Sequence, residues 1–521
     1  MDAGTETGER KETGLEAFLR MAGEYDHIPI FLEKPLGKRN PLDMYRVLRK
    51  QGVPSFLLES GSREGHGNRY SFIGTDPDRI FDVSRKGCME IEPGGRLPPV
   101  FHPSRDGLRR AFDGYLSGRR PPREEGFPPF TGGIAGYFGY DMVETWEDLF
   151  HGASRRPLRD SPFPRALLMG FPTVIAVDHA SERLWIVSNA RFPLGGDAKS
   201  GEDLYRETIS RMEHLEDLLE LPEKKRPGEK GAYFLTGAKS NMDKESFLDM
   251  VHRARNHIVA GDICQVVLSQ KFSAGTNLPP LDIYEALRAV NPSPYLFFLE
   301  LPEFRLIGSS PEVLVRLRGE RVVTRPLAGT RRRGFTEEED LELERELLED
   351  GKERAEHLML VDLARNDLGR VCRTGTVKVT QFMGVERYSR VMHIVSQVEG
   401  DRNPGLHALD VIESAFPAGT VSGAPKIRAM EIIEDLEKSP RGPYAGAVGY
   451  IGFDGDMDTC IAIRTFLQKG EEIQVQAGAG IVFDSVPERE YEETVNKAGA
   501  LFSALQTALR RNRHDTHDRQ L

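Results

Sequence analysis

A chain of 521 residues exceeds what one hydrophobic core usually supports, so two domains are expected. With 39% hydrophobic and 29% charged residues it has the composition of a soluble globular protein, neither disordered nor membrane-spanning. The formal net charge of −11 argues against nucleic acid as a partner but leaves room for a local basic site that takes an anionic ligand.

Residues 1–13 read as a loose tail, polar and acidic at the start, without a signal-peptide core. A short helix is expected over 41–51, where Pro41 precedes the apolar Met44, Val47 and Leu48. A strand over 55–60, a glycine-rich charged loop over 61–68 and a second strand over 69–74 follow. Gly132-Gly-Ile-Ala-Gly-Tyr-Phe-Gly-Tyr140 reads as a strand whose glycines allow close backbone packing. No phosphate-binding helix signal follows it, so it does not suggest a dinucleotide site. Residues 166–190 suggest a hairpin, with one apolar strand to Val177 and a turn near 178–183. This most apolar stretch contains Gly170 and Pro172 and is too short to span a bilayer, so no membrane association is expected. Residues 221–231, polar and broken by Pro and Gly, are the best candidate linker. The cysteines Cys88, Cys264, Cys372 and Cys460 lie far apart, as free thiols of a cytoplasmic protein would.

Beyond the linker, Phe247, Met250, Val251, Ala254 and Ile258 mark an amphipathic helix that Gly261 closes. Strands are expected over 263–272, 313–317 and 321–324, the last two joined through Gly319. Thr336 with Glu339 forms a capping box that opens an acidic helix. In the helix expected over 350–370, Glu353 and Glu356 lie one turn apart on one face. Gly419-Thr-Val-Ser-Gly-Ala-Pro-Lys-Ile-Arg428 opens a further helix, an end suited to an anion. Strands over 445–453, 459–467 and 473–477 are joined by Asp454-Gly455 and Lys469-Gly470 turns. Arg464 interrupts the second of these, a costly placement without an anionic partner.

The final helix, 485–510, is expected to start at a Ser485–Glu488 capping box with Pro487 in its first turn. Tyr491, Val495, Ala498, Phe502 and Leu505 form its apolar stripe, and Glu490, Glu493 and Lys497 lie on another face. Residues 511–521 read as a second loose tail. Two helices thus each offer a Glu-x-x-Glu pair, a donor set for a hard ion such as Mg²⁺; no Cys/His grouping suggests zinc. The alternation of strands and helices predicts an α+β (mixed α/β) fold.

Leu360-Val-Asp-Leu-Ala-Arg-Asn366, Ser389-Arg-Val-Met-His393, Phe416-Pro-Ala-Gly-Thr-Val-Ser-Gly-Ala-Pro-Lys426 and Gln476-Ala-Gly-Ala-Gly480 occur in that order. In these motifs the sequence resembles the chorismate-utilising enzymes and, within them, the large subunits (component I) of anthranilate synthases. The resemblance spans roughly 235–505, with a weaker match in the N-terminal half. It implies layered antiparallel sheets flanked by helices, with a smaller N-terminal regulatory domain over 14–225 and a catalytic domain over 235–510.

The implied activity is a Mg²⁺-dependent lyase reaction. Chorismate and ammonia give anthranilate and pyruvate through 2-amino-2-deoxyisochorismate, the first committed step of tryptophan biosynthesis. Glu356 and Glu493 would be the metal ligands, supported by Glu353 and Glu490. Gly329, Thr330, Tyr444, Arg464, Gly478, Ala479 and Gly480, with Lys497 beside them, would bind chorismate. Glu312 would protonate the leaving hydroxyl, and His393, with Thr420 nearby, would assist the elimination. Gln265 stands where water-using relatives carry a lysine base, and an amide cannot act as that base. Ala328 and the Thr420-Val-Ser422 run depart from the pattern of aminodeoxychorismate synthases, which remain the nearest alternative.

Ser60, Pro294, Tyr295 and Leu296 match the family's elements for L-tryptophan as feedback inhibitor, although relatives often carry Met where Leu296 stands. A non-catalytic tryptophan sensor is a further alternative. None of the four cysteines sits in a nucleophile elbow, so a separate glutamine amidotransferase small subunit (component II) would supply ammonia within a hetero-oligomer.

Overall fold

The computed structural model describes residues 11–60, 69–123, 126–147, 149, 157–193, 197–221, 233–388 and 391–517. The loop expected at 61–68, nearly all of the expected linker and residues 1–10 lie outside these.

The strands form two antiparallel sheets. The thirteen-stranded one runs in the order Lys11–Glu12, His27–Pro35, Arg183–Arg191, Thr173–Asp178, Tyr70–Thr75, Ser55–Glu59, Tyr295–Glu300, Arg305–Ser310, Thr465–Lys469, Glu472–Ile481, Gln265–Gly275, Lys239–Ser240, with Gly423–Ala424 paired to Gln265–Gly275. The twelve-stranded one runs Leu327–Arg332, Val391–Asp401, Arg321–Thr324, Val313–Arg318, Met457–Ile461, Ala447–Gly452, Gly133–Phe138, Ala166–Phe171, Arg79–Ser84, Gly87–Ile91, Val100–Pro103, with Lys378–Arg387 paired to Val391–Asp401. Both take strands from before and after residues 222–232, and Tyr295–Glu300 pairs with Ser55–Glu59.

Side-chain alternation along each strand builds the layers. On Tyr295–Glu300, Phe297 and Leu299 enter the core between the sheets, with Phe56, Phe171, Val448 and Tyr450. Leu296 and Phe298 enter the core under the helices that cover the larger sheet. The helices Gly107–Leu116, Gly351–Gly369 and Ala408–Ala415 cover the smaller sheet. The glycines of Gly133–Phe138 serve close packing as expected: a Cβ on Gly133 would lie 2.2 Å from the Ile451 carbonyl oxygen, and one on Gly136 2.3 Å from that of Leu167.

The chain passes between the sheets after Thr75, Phe171, Ser310, Asp401, Ala424 and Ile461. Two of these crossings correct the sequence expectation. The apolar run 166–177 is two strands in different sheets, broken at Pro172, which cannot donate to a ladder. The run expected as a strand over 459–467 is likewise split, into Met457–Ile461 and Thr465–Lys469. Arg464 lies in this break, in the left-handed region at φ 52.

The ends differ too. Lys11–Glu12 pairs with His27–Pro35, and the last helix runs over Pro487–His517, past the expected tail boundary. The expected Ser485–Glu488 box is not formed: the Ser485 hydroxyl accepts from the Val482 N–H at 3.0 Å and supports the Glu490 carboxyl. Val495, expected in the apolar stripe, is 37% exposed, and Thr494 is buried instead.

Candidate active site

The helix Gly351–Gly369 begins at Asp350, whose carboxylate accepts from the Lys352 and Glu353 N–H groups. This start aims Glu353 and Glu356 at the ends of several strands. Glu356 Oε1 accepts from Gln265 Nε2 at 3.0 Å. Burial raises the Glu356 pKa; the Gln265 hydrogen bond opposes that, and the nearby charges of Glu353 and Glu493 raise it further. Burial also raises Glu490, and Glu493 adds to the effect. Carboxylates from two distant helices therefore sense one another.

Each outer carboxylate has a protein cation. Lys497 Nζ lies 2.6 Å from Glu493 Oε1 and also donates to the Gly478 carbonyl at 3.0 Å. Arg331 Nη1 donates to Glu353 at 3.3 Å while holding Glu346 and Asp350 at 2.9 Å each. Arg332 pairs with Glu339 and Arg333 with Asp340, so the basic triplet is spent on the neighbouring acidic helix. Among the described residues no three Asp, Glu, His or Cys side chains form a ready metal cluster.

The strand Glu472–Ile481 runs beside Gln265–Gly275 and places Gly480 and Gly478 against this group. A Cβ on Gly480 would lie 2.7 Å from Gln265 Nε2, and one on Gly478 2.8 Å from the Tyr444 hydroxyl. Arg464 feels both Tyr444 and Glu493; burial pulls its pKa down and these two neighbours pull it back up.

The opposite wall is Leu327–Arg332 with Val391–Asp401. A register shift between Ala328 and Thr330 leaves Gly329 at φ +66, a conformation natural to glycine. A Cβ on Gly329 would come within 3.2 Å of Glu353 Oε2. His393 Nδ1 lies 2.9 Å from the Gly329 carbonyl oxygen and 3.1 Å from Thr330 Oγ1. A carbonyl only accepts, so Nδ1 carries the proton and Nε2 keeps its lone pair. Burial lowers the His393 pKa; the Gly329 carbonyl opposes this, and Arg464 lowers it further. The Tyr388 ring meets the imidazole edge-on at 5.6 Å.

Glu312 follows the sheet crossing at Ser310 and is 6% exposed. Burial pushes its carboxyl up to about 8, against the influence of Thr420 and the Leu327 amide. Thr420 Oγ1 lies against the carboxyl without a well-formed hydrogen bond, so it acts through proximity. Glu312 and Thr420 line one small cavity with Leu360 and Gly419. The helix end expected to bind an anion carries Lys426, whose ammonium is held by Asp367 at 2.8 and 2.9 Å.

The candidate side chains from Gln265 to Lys497 thus form one connected group. Ser60, Pro294, Tyr295 and Leu296 lie elsewhere, lining a cavity of about 350 Å³ with Tyr70, Tyr450, Arg316 and Asp458. Sequence reasoning did not single out Tyr388 or give Arg331 a place at Glu353. For Tyr388 the only local signal is its position directly before the Ser389-Arg-Val-Met-His393 motif.

Residues 105–503 match the family described as chorismate binding enzyme. The chain is 44% identical over 501 residues to anthranilate synthase component 1 of Aquifex aeolicus, covering 95% of this chain and 98% of that protein. It is 45% identical over 469 residues to the Thermus thermophilus protein of the same name, covering 90% and 96%. A crystal structure of anthranilate synthase component I from Streptococcus pneumoniae superimposes with a TM-score of 0.70 at 35% identity, covering 90% of this chain and 98% of that one. The menaquinone-specific isochorismate synthase of Escherichia coli shares the fold, with a TM-score of 0.68 at 20% identity over 95% of this chain and 99% of that one. On this match in sequence and architecture, the chain belongs to the chorismate-binding enzymes, with the component 1 chains of anthranilate synthase.

Proposed function

We infer that this chain converts chorismate and ammonia to anthranilate and pyruvate. The observation that carries this is Gln265, a neutral amide bonded to Glu356 at the position where the resemblance puts the lysine base of water-using relatives. An amide at that place leaves water unactivated and favours ammonia, already a nucleophile, as the attacking group.

The donors fit a hard divalent cation: all are carboxylate oxygens, and Glu356 is made harder to ionise by Glu353 and Glu493, a repulsion that a cation would relieve. Glu356 and Glu493 would hold Mg²⁺, with Glu353 and Glu490 behind them. The ion would supply positive charge to a carboxylate of the substrate. Arg464 and the backbone amides of Gly329, Thr330, Gly478, Ala479 and Gly480 suit the remaining anionic groups, and Tyr444 closes the side beside Gly478.

Ammonia forms a bond to C2 as the C4 hydroxyl leaves. Glu312 is protonated at neutral pH because burial lifts it to about 8, so it can give its proton to the departing oxygen. C2 then loses its proton, pyruvate departs, and the ring becomes aromatic. His393, neutral with a free Nε2, suits the proton transfer of that elimination, with Thr420 nearby.

The separate cavity is our candidate for L-tryptophan as feedback inhibitor. Its aromatic wall suits an indole; Arg316 and Asp458, paired with one another at 2.8 Å, stand in the same wall, where the charged ends of an amino acid would compete for them. Glutamine-derived ammonia would come from an amidotransferase small subunit in a hetero-oligomer. Among the described residues no helix is long and apolar enough to cross a membrane, and a cytoplasmic location is our expectation.

Purified chain incubated with chorismate, Mg²⁺ and ammonium should produce fluorescent anthranilate. A non-aromatic aminodeoxychorismate as the only end product would overturn this proposal, and tryptophan binding without turnover would make the protein a sensor.

A further inference from the structure

Behind the wall that carries Gln265 and Tyr444 lies a buried ion pair with no part in the chemistry above. Arg441 is 3% exposed and Glu437 4% exposed. Arg441 Nη2 donates to Glu437 Oε1 at 2.6 Å, and Nε donates to Oε2 at 2.9 Å. Its other bonds go to backbone elsewhere in the chain: Nη1 donates to the Val421 carbonyl at 2.6 Å and Nη2 to the Val267 carbonyl at 2.7 Å. Glu437 Oε1 also accepts from the Ser269 N–H and hydroxyl, each at 2.8 Å. The guanidinium lies over the rings of Tyr140 and Tyr444, at 4.7 and 5.6 Å.

Taking two charges out of water is costly, and apolar residues of similar volume often stabilise a fold as well or better. Stability alone therefore does not account for the pair. Its bonds have a pattern: Val267 lies two residues after Gln265 on the same strand, Val421 follows Thr420, and Tyr444 is itself a candidate substrate contact. We propose that Glu437 and Arg441 are positioning residues that fix the spacing of Gln265, Thr420 and Tyr444 around the ring acid. This rests on the activity inferred above. The planar guanidinium suits the task because one rigid group directs bonds to three segments at once, which a lysine ammonium on a flexible stem does not.

The test is a graded series in the full-length chain: Ser269→Ala, Glu437→Gln and Arg441→Lys, assayed with chorismate, Mg²⁺ and ammonium. We expect kcat to fall about twofold, about tenfold and about a hundredfold, with a smaller rise in KM, as misplacing reacting groups by about an ångström does. Thr420 opposes the rise in the Glu312 pKa, so loosening its neighbour Val421 should also move the alkaline limb of the kcat profile to higher pH. Loss of fold stability alone would not move that limb. Thermal midpoints falling along the series while kcat and the limb stay at wild-type values would overturn the proposal. If Arg441→Lys does not fold, the other two variants decide. Wild-type chain that makes aminodeoxychorismate would overturn only the product assignment, because the series still reads positioning in that turnover. Absence of all turnover would overturn both.

Discussion

Gln265 and Glu356, 91 residues apart in sequence, meet through a 3.0 Å hydrogen bond from the amide Nε2 to the carboxylate Oε1. The bond counters the effect of burial and helps keep Glu356 ionised. It also fixes the carboxylate's orientation, as a partner behind a metal ligand does.

Gln265→Leu should therefore leave Glu356 easier to protonate and less well aimed. We expect the half-saturating Mg²⁺ concentration to rise about tenfold, the low end for losing such a partner. Because the ligand must be ionised, the acid limb of the pH profile should move to higher pH. Mg²⁺ titrations of ammonia-dependent activity at two pH values check both; unchanged titrations would remove Gln265 from this role.

Glu356→Ala and Glu493→Ala should each lower Mg²⁺-dependent turnover by at least about a hundredfold, the scale of losing a main electrostatic contact in the transition state. The fold should survive, since each change removes one member of a mutually repelling set. Circular dichroism melts beside the assay separate the two effects, and full activity in either variant would contradict the metal assignment.

His393→Met keeps an apolar body against Tyr388 but removes the free Nε2. Amination should continue while elimination slows, so the amino intermediate should accumulate. Chromatography of the products reads this directly. Anthranilate production at the wild-type rate would exclude His393 from the mechanism.

Glu312 sets a pH dependence in both rate and stability. As a proton donor it works only when protonated, so kcat should decline as pH rises through about 8. For stability, burial raises the folded pKa above the unfolded value. The contribution is then complete below the unfolded pKa of 4.5 and is lost as pH rises from there through about 8, the interval in which the unfolded chain holds fewer protons than the folded one. Glu312→Gln should remove this loss and gain on the order of a few kcal/mol over wild type above that pH, while lacking the proton to donate. Denaturant melts at pH 6 and pH 9, with matched rate profiles, are the measurement; parallel stability curves for the two proteins would refute it.

Ser60→Phe should fill the cavity beside Tyr295 and abolish tryptophan inhibition. The ratio of activity with and without tryptophan reads this, and calorimetric titration should lose the binding heat. Undiminished inhibition would place the inhibitor elsewhere.

Local features were legible in the chain alone, because their causes are local. Thr336 caps the helix expected from it, since a cap involves only neighbouring N–H groups, whereas the Asp350 cap was not singled out. The Glu353/Glu356 face follows from helical periodicity, and the motif order was enough to suggest the family. Which strand joins which sheet was not legible. An apolar run looks the same whether or not it crosses between sheets, so the breaks at Pro172 and around Arg464 emerged only from pairing. The same holds for Tyr388 on His393, Arg331 on Glu353, and Arg441 binding strand, turn and helix together. By itself the sequence determined the paired glutamates of the helix over 350–370, the order of the motifs and the chemical types of the site residues. Only tertiary structure decided which of these groups lie together, because burial of Glu312 raises that carboxyl to about 8 and proximity makes carboxylates of separate helices a single site.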